Sequence, residues 1–421
     1  MNNDDTRKLA GVIELLLDSS SRINQAKEER YWYPLSMATY GVDEILEGID
    51  SMCSFRTTMW EKTLQFERRF AGYQGSADAI MVNSGSSADL LMCFLLTDPR
   101  QQQLKKGDEI LVPVVTWPTQ LWSALMAGLK VRFVDVDPQT LNIDLDDLEA
   151  RITPATRAIF LVHLMGNPCK MDRILELAKK HDLVIIEDCC EALGAEWNGV
   201  KVGNFGLSAS FSFFFSHHLT TMEGGMITCR DAETADRFRI LRAHGWLRNV
   251  DASAYDLDGY DLDPRYAFVN WGFNVRPTEI QAAFGLHQLQ KLPRFNERRD
   301  QLAAKFFAYV DKSPYLSRPA VDPQARPSWF ALPLVRKADA PFSTQQLRSY
   351  LEQQGVETRP IVTGNVAKQP AAVLFEGLRQ DTYPGADTIH SQGFYVGLSP
   401  MQDDASIDRL LECFEDFLKQ Y

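Results

Sequence analysis

The sequence predicts an α/β protein: a large domain on a mostly parallel central sheet, followed by a smaller α+β domain. Three observations predict it. From about residue 80, short β-branched apolar runs alternate with helical stretches, the pattern of strands buried on both faces and joined by helices. Small or acidic residues close several of these runs, where open α/β sheets bind ligands. In the last third of the chain the strands and helices become fewer and looser. The expected division is an N-terminal helical segment with the large domain over 1–290, and the small domain over 291–421.

The elements follow in order. "MNNDDTRKLAGVIELLLDSSSRINQ" opens acidic, lacks a cleavable signal pattern and reads as an amphipathic helix. "AIMVNSGSSADLLMCFLL" reads as strand, turn and helix, and "DEILVPVVTWPTQLWSALMAG" repeats that logic before the strand "KVRFVDVD". "RAIFLVHLMGN" is a strand, "DRILELAKKH" a helix, and "DLVIIEDCCEALGA" a strand that ends in acidic residues. "SASFSFFFS" and "GGMITC" are two more strands. From about residue 278 a long helical pattern runs on with an expected break near Pro293. The strands "SWFALPLVR" and "VETRPIV" and the helices "STQQLRSYLEQQG" and "SIDRLLECFEDFLKQ" complete the chain.

Composition excludes several classes. The 421 residues are 45% hydrophobic, ample for a large core. A net charge of −12 argues against nucleic acid or an anionic membrane as partner. It leaves room for a small anionic ligand held by local N–H groups. No apolar run reaches the length of a membrane span, so a cytoplasmic location is expected. Seven cysteines at irregular spacings, with no CxC or CxxC, read as buried thiols rather than disulfides or a metal cluster.

The chemistry-bearing residues lie at strand ends. "NSGSSA", 83–88, is a small-residue turn before an apolar helix, and Gly85 and Ser86 there are candidates for a phosphate cradle. In isolation such a turn is equally an ordinary N-cap by Ser84 or Ser86. Trp117 in "VVTWPTQ" sits past a strand, where an indole can lie flat on an aromatic ligand; alone, it is more often core. Asp188 ends a buried strand and can hold a protonated heteroaromatic nitrogen, or simply cap a turn. Glu191 follows three residues on. Ser212 offers a hydroxyl, and "GFNVRP" offers Asn274 and Arg276 on a loop before a helix. Phosphate turn, aromatic, strand-end Asp and Ser-bearing strand follow the order of a fold-type I pyridoxal-phosphate site. Such a site next requires a lysine that tethers the cofactor. None occurs between Lys201 and Lys291, and His217 stands in its place.

From about residue 30 the chain resembles the DegT/DnrJ/EryC1/StrS sugar aminotransferases. Their cofactor lysine lies in a "SFxxxKxLTTGEGG"-type segment, which aligns without a gap with "SFFFSHHLTTMEGG" and sets His217 on the lysine. "YPLSMATY", "LKKGDEILVPVVTW", "RAHGWLRN", "KLPRF" and "RPIVTGN" carry the resemblance further, to the nucleotide-sugar 3-dehydratase branch. It implies an aspartate-aminotransferase-like fold and non-covalently held pyridoxal or pyridoxamine 5′-phosphate. Gly85, Ser86 and Ser212 are then expected on the phosphate, with Asn274 from a neighbouring subunit, which implies a homodimer with a shared active site. Trp117 stacks on the ring, Asp188 pairs with its nitrogen, and Glu191 lies near its hydroxyl.

The resemblance implies the reaction as well. Glutamate converts the cofactor to the amine form, and the C3 hydroxyl of a GDP-linked 4-keto-6-deoxy sugar is expelled with His217 as acid–base group. His244 and Arg276 are expected near the sugar nucleotide, and Arg359 on the glutamate carboxylate. Adjacent side chains on an extended segment point apart, so His217 rather than His218 is expected to face the cofactor. A second dehydratase branch uses an iron–sulfur cluster and a reductase. Its closely spaced cysteines are missing after His217, so no such partner and no metal are expected. The competing readings are a sugar aminotransferase with an unusual base and a non-catalytic sugar-nucleotide-binding relative.

Overall fold

The computed structural model describes residues 3–27, 30–100, 103–248, 250–375, 378 and 381–421. Its central sheet has seven strands: β1 (Asp78–Val82), β2 (Glu109–Pro113), β3 (Lys130–Val134), β4 (Thr156–Val162), β5 (Val184–Asp188), β6 (Ser208–Ser212) and β7 (Gly225–Cys229). Their spatial order is β1-β7-β6-β5-β4-β2-β3. The pairs β2–β3, β2–β4, β4–β5 and β5–β6 are parallel, because helices return the chain between most of these strands. β7 alone runs antiparallel to its neighbours β6 and β1. No crossover helix separates it from β6; the chain turns back through 213–224, which leaves that segment at the carboxyl end of the parallel strands.

Side-chain alternation divides the core between the two faces. Ile80, Val82, Ile110, Val112 and Phe160 pack on one face, and Ala79, Met81, Leu111, Ile159 and Phe211 on the other, all buried. The expected mostly parallel α/β sheet is present, and the N-terminal helix spans Asn3–Lys27.

A second sheet of four antiparallel strands follows: β8 (Leu316–Ser317), β9 (Leu332–Arg336), β10 (Thr358–Arg359) and β11 (Gly393–Val396), ordered β8-β9-β11-β10. With the helices Thr344–Gln353 and Asp404–Leu418 it makes the expected α+β layer.

The break expected near Pro293 does not occur. One helix runs from Glu279 to Val310 with Pro293 inside it. Proline removes one helical hydrogen bond, but buried residues flank it on both sides. Ala282, Leu286, Leu289 and Leu292 pack with the large-sheet core, and Leu302, Phe306, Phe307 and Val310 with the small-sheet core. Packing at both ends holds the helix across the proline, and the boundary expected at 290/291 falls within it. Among the described residues, no helix is long and apolar enough to cross a membrane.

Candidate active site

Loops at the carboxyl ends of the parallel strands enclose a cavity of about 510 Å³. Gly85, Ser86, Trp117, Asp188, Glu191, Ser212, His217 and Arg359 all line it. These residues come from five separated stretches of chain, and the sheet brings them together.

The cradle is built by the first turn of the helix Gly85–Leu96. Ser84 is its N-cap and accepts from the Ser87 N–H at 3.0 Å, so the mundane capping reading also holds. The Gly85 and Ser86 N–H groups have no intrahelical partner by helix geometry and border the cavity, a site suited to an anion. A Cβ on Gly85 would lie 2.7 Å from Ser212 Cβ and 2.9 Å from Cys190 Sγ, so only glycine lets the helix start against the end of β6. The Ser86 and Thr119 hydroxyls meet at 3.1 Å beside it.

Trp117 precedes the helix Pro118–Met126 and remains 59% exposed, an apolar plate left open in a cavity wall. Asp188 ends β5 and is only 5% exposed. Its Oδ1 accepts from the Cys190 N–H at 2.8 Å, and its Oδ2 from Gln120 Nε2. Burial raises its carboxyl above the usual range. Glu191 Oε2 accepts from the Met165 N–H at 2.8 Å, and burial pushes this carboxyl up to about 7.

His217 lies in the turn after β6, where its N–H donates to the Phe214 carbonyl at 3.0 Å. Its ring packs edge-on to Phe330 at 5.1 Å, and its Nδ1 is buried with no partner among the described residues. Burial, aided by the Arg299 charge, pushes the imidazole down to about 4, so at pH 7 it is neutral, with a free nitrogen lone pair. His218 is 1% exposed, and its Nε2 meets the Ser328 carbonyl at 3.0 Å. Of the pair, His217 lines the cavity and His218 does not, and the two lie in a bend rather than on an extended strand. Arg359 ends β10 and already pairs with Glu357 at 2.7 Å.

Asn274, Arg276 and His244 lie elsewhere. Arg276 Nε donates to Asn274 Oδ1 at 3.0 Å, and both border a second cavity of about 500 Å³ with Arg56, Trp60, Trp246 and Arg248. His244 is exposed beside Ala243, which bridges Asn274, and takes a left-handed φ of 65°. Within one chain, these three residues do not reach the first cavity's wall.

Sequence reasoning missed Asp89, Gln120, Phe330 and Arg299. Asp89 left a signal, a lone acid in the apolar run "ADLLMCFLL". The others reach the site from neutral-looking or distant segments. Among the described residues, His163, Glu187 and Cys189 are the one group close enough to share an ion. The ring of His163 is committed to Glu187 at 3.1 Å and to the Cys169 N–H at 3.0 Å, and Glu187 also accepts three backbone N–H groups. This network ties the backs of β4 and β5 together.

An anion cradle, an open indole, and a buried carboxylate with no lysine or arginine beside it among the described residues fit a phosphorylated, cationic aromatic ring. Comparison with known proteins agrees. Residues 41–415 match the DegT/DnrJ/EryC1/StrS aminotransferase family. GDP-4-keto-6-deoxy-D-mannose 3-dehydratase of Yersinia pseudotuberculosis is 40% identical over 372 residues, 87% of this chain and 93% of that protein. The E. coli enzyme of the same name, solved with bound hydrated PLP, superposes with a TM-score of 0.86 at 38% identity, over 91% of this chain and 99% of that one. A crystal structure of GDP-4-keto-6-deoxymannose-3-dehydratase with a trapped PLP–glutamate geminal diamine superposes with a TM-score of 0.85 at 37% identity, over 90% of this chain and 99% of that one.

Proposed function

The chain belongs to the DegT/DnrJ/EryC1/StrS aminotransferase family, and from that premise we propose that it is a pyridoxal-phosphate-dependent 3-dehydratase. It removes the C3 hydroxyl of a nucleotide-linked 4-keto-6-deoxyhexose, GDP-4-keto-6-deoxy-D-mannose, on the way to a 3,6-dideoxysugar. Glutamate donates the amino group, and 2-oxoglutarate and ammonia are released. One observation carries this reading: His217 lines the cavity, and among the described residues no lysine does.

When bound, the cofactor supplies an amine for the sugar ketone and a ring that accepts the electron pair left by proton removal. Gly85, Ser86 and Ser212 hold its phosphate, Trp117 covers one ring face, and Asp188 holds the ring nitrogen protonated. Glu191 takes the ring-hydroxyl side. His217, neutral at pH 7, removes the proton at C4′ and returns it as an acid. Imidazole forms no stable covalent tether, so retention rests on the phosphate, stacking and Asp188 contacts. The missing amine also cannot recapture the cofactor and divert the reaction to an amino sugar.

Arg359 turns from Glu357 to the glutamate carboxylate. A second copy of the chain brings Asn274 to the phosphate and His244 and Arg276 to the sugar nucleotide, because within one copy none of the three lines the first cavity. Incubation with glutamate and GDP-4-keto-6-deoxy-D-mannose tests the reading: ammonia and a 3-deoxy product are expected. An amino sugar without ammonia would make the protein an aminotransferase.

A further inference from the structure

Two carboxylates, not one, are buried at the cavity. Asp89, on the helix Gly85–Leu96, is 2% exposed, and Asp188 5%. Both accept from one amide: Gln120 Nε2 donates to Asp89 Oδ2 at 3.2 Å and to Asp188 Oδ2. The amide is oriented by its other end, where Gln120 Oε1 accepts from the Thr116 hydroxyl at 2.7 Å. Ser210 Oγ lies 2.5 Å from Asp89 Oδ1.

Among the described residues no lysine or arginine bears on either group. Their titratable neighbours are the Cys93, Cys189 and Cys190 thiols, Glu191, and His163. The His163 ring is committed to the Cys169 N–H at 3.0 Å and to Glu187 Oε2 at 3.1 Å. Two like charges sharing one donor in so dry a site do not both ionise, so the pair keeps one proton.

The donors decide which group keeps it. Both Asp188 oxygens are met by N–H groups, which cannot accept a hydrogen bond. Asp89 has the Ser210 hydroxyl beside Oδ1, which accepts as readily as it donates. We propose that Asp89 carries the proton, that the single negative charge therefore sits on Asp188, and that Asp89 and Gln120 are positioning residues for the carboxylate that meets the cofactor ring. Burial raises both carboxyls, Asp89 the further of the two. The inference rests on the ring-nitrogen role of Asp188 given above.

Infrared spectra of cofactor-free protein labelled with [13C]aspartate test the assignment. The label separates aspartic acid from Glu191. At pH 7 the wild-type chain is expected to show a protonated aspartic acid carbonyl band that is lost in Asp89→Asn and kept in Asp188→Asn. In Gln120→Leu, which removes the shared donor, the band is expected to persist to a pH about one unit higher. The wild-type spectrum needs no variant to fold, and absence of the band there overturns the proposal. So does a band lost in Asp188→Asn and kept in Asp89→Asn. An unchanged titration in Gln120→Leu removes Gln120 from it. Failure of the underlying reading looks different: normal turnover by Asp188→Asn, with the spectra as expected, would leave the proton on Asp89 and remove the ring-nitrogen role.

Discussion

The guanidinium of Arg299 donates to the main-chain carbonyl of His217 at 3.4 Å. It also reaches the carbonyls of His218 at 3.3 Å and Leu398 at 3.4 Å, and it is 3% exposed. Burial lowers it to about 10, which leaves it charged at neutral pH. One residue of the long helix thus holds the turn that presents His217 and keeps a positive charge near its ring. Lysine carries a compact point charge and lacks the rigid planar fork whose separated nitrogens reach these carbonyls. Arg299→Lys is expected to lower kcat about tenfold or more with little change in KM, as a loosened catalytic group does. Steady-state kinetics separate the two, and an effect confined to KM would count against this role.

His217→Asn is expected to retain cofactor, because its phosphate, stacking and carboxylate contacts survive. Deoxygenation should fall by ~10²–10⁴-fold, the loss typical of a positioned acid–base group. His217→Lys is expected to bind pyridoxal phosphate covalently, so that borohydride fixes it to the chain, whereas the wild-type chain releases it on denaturation. A lysine variant that deoxygenates at the parent rate would show that freedom from the tether is unimportant.

The pH dependence follows from two displaced groups. The carboxyl of Glu191 moves from an ordinary value of 4.5 to about 7 in the folded chain. The folded state therefore holds a proton that the unfolded state loses, and stability falls as pH rises from 4.5 to 7. Glu191→Gln removes that part of the slope, so melting of the cofactor-free variant should gain on wild type across this window.

In the same Glu191→Gln background, log kcat/KM should stay level as pH falls from 7 to 5. His217 is expected to lose its basic form only near 4. A limb near the ordinary imidazole value would show that water reaches the ring in the working enzyme.

Asp188→Asn is expected to bind cofactor but lose most proton abstraction, since an amide does not hold the ring nitrogen protonated. Solvent exchange of the C4′ proton, followed by NMR, measures that step apart from product release. Near-normal exchange would assign the work to another group.

The amino-acid sequence alone determined the fold class and the order of the site. Periodicity marks strands buried on both faces, and the cradle, Trp117, Asp188, Ser212 and His217 each sit in a short contiguous motif at a strand end. Only the tertiary structure decided the rest, because the deciding contacts join distant segments. Pro293 stays helical because cores at both ends of its helix hold it. His218 turns away from the cavity to the carbonyl of Ser328. Asn274 and Arg276 border a second cavity, and His244 lies exposed beside Ala243 in its wall. Asp89 meets Asp188 through Gln120, 31 residues along the chain from the first and 68 from the second. Protonation states belong to this second group as well: desolvation, which no linear motif encodes, makes His217 a weak base and Glu191 a weak acid.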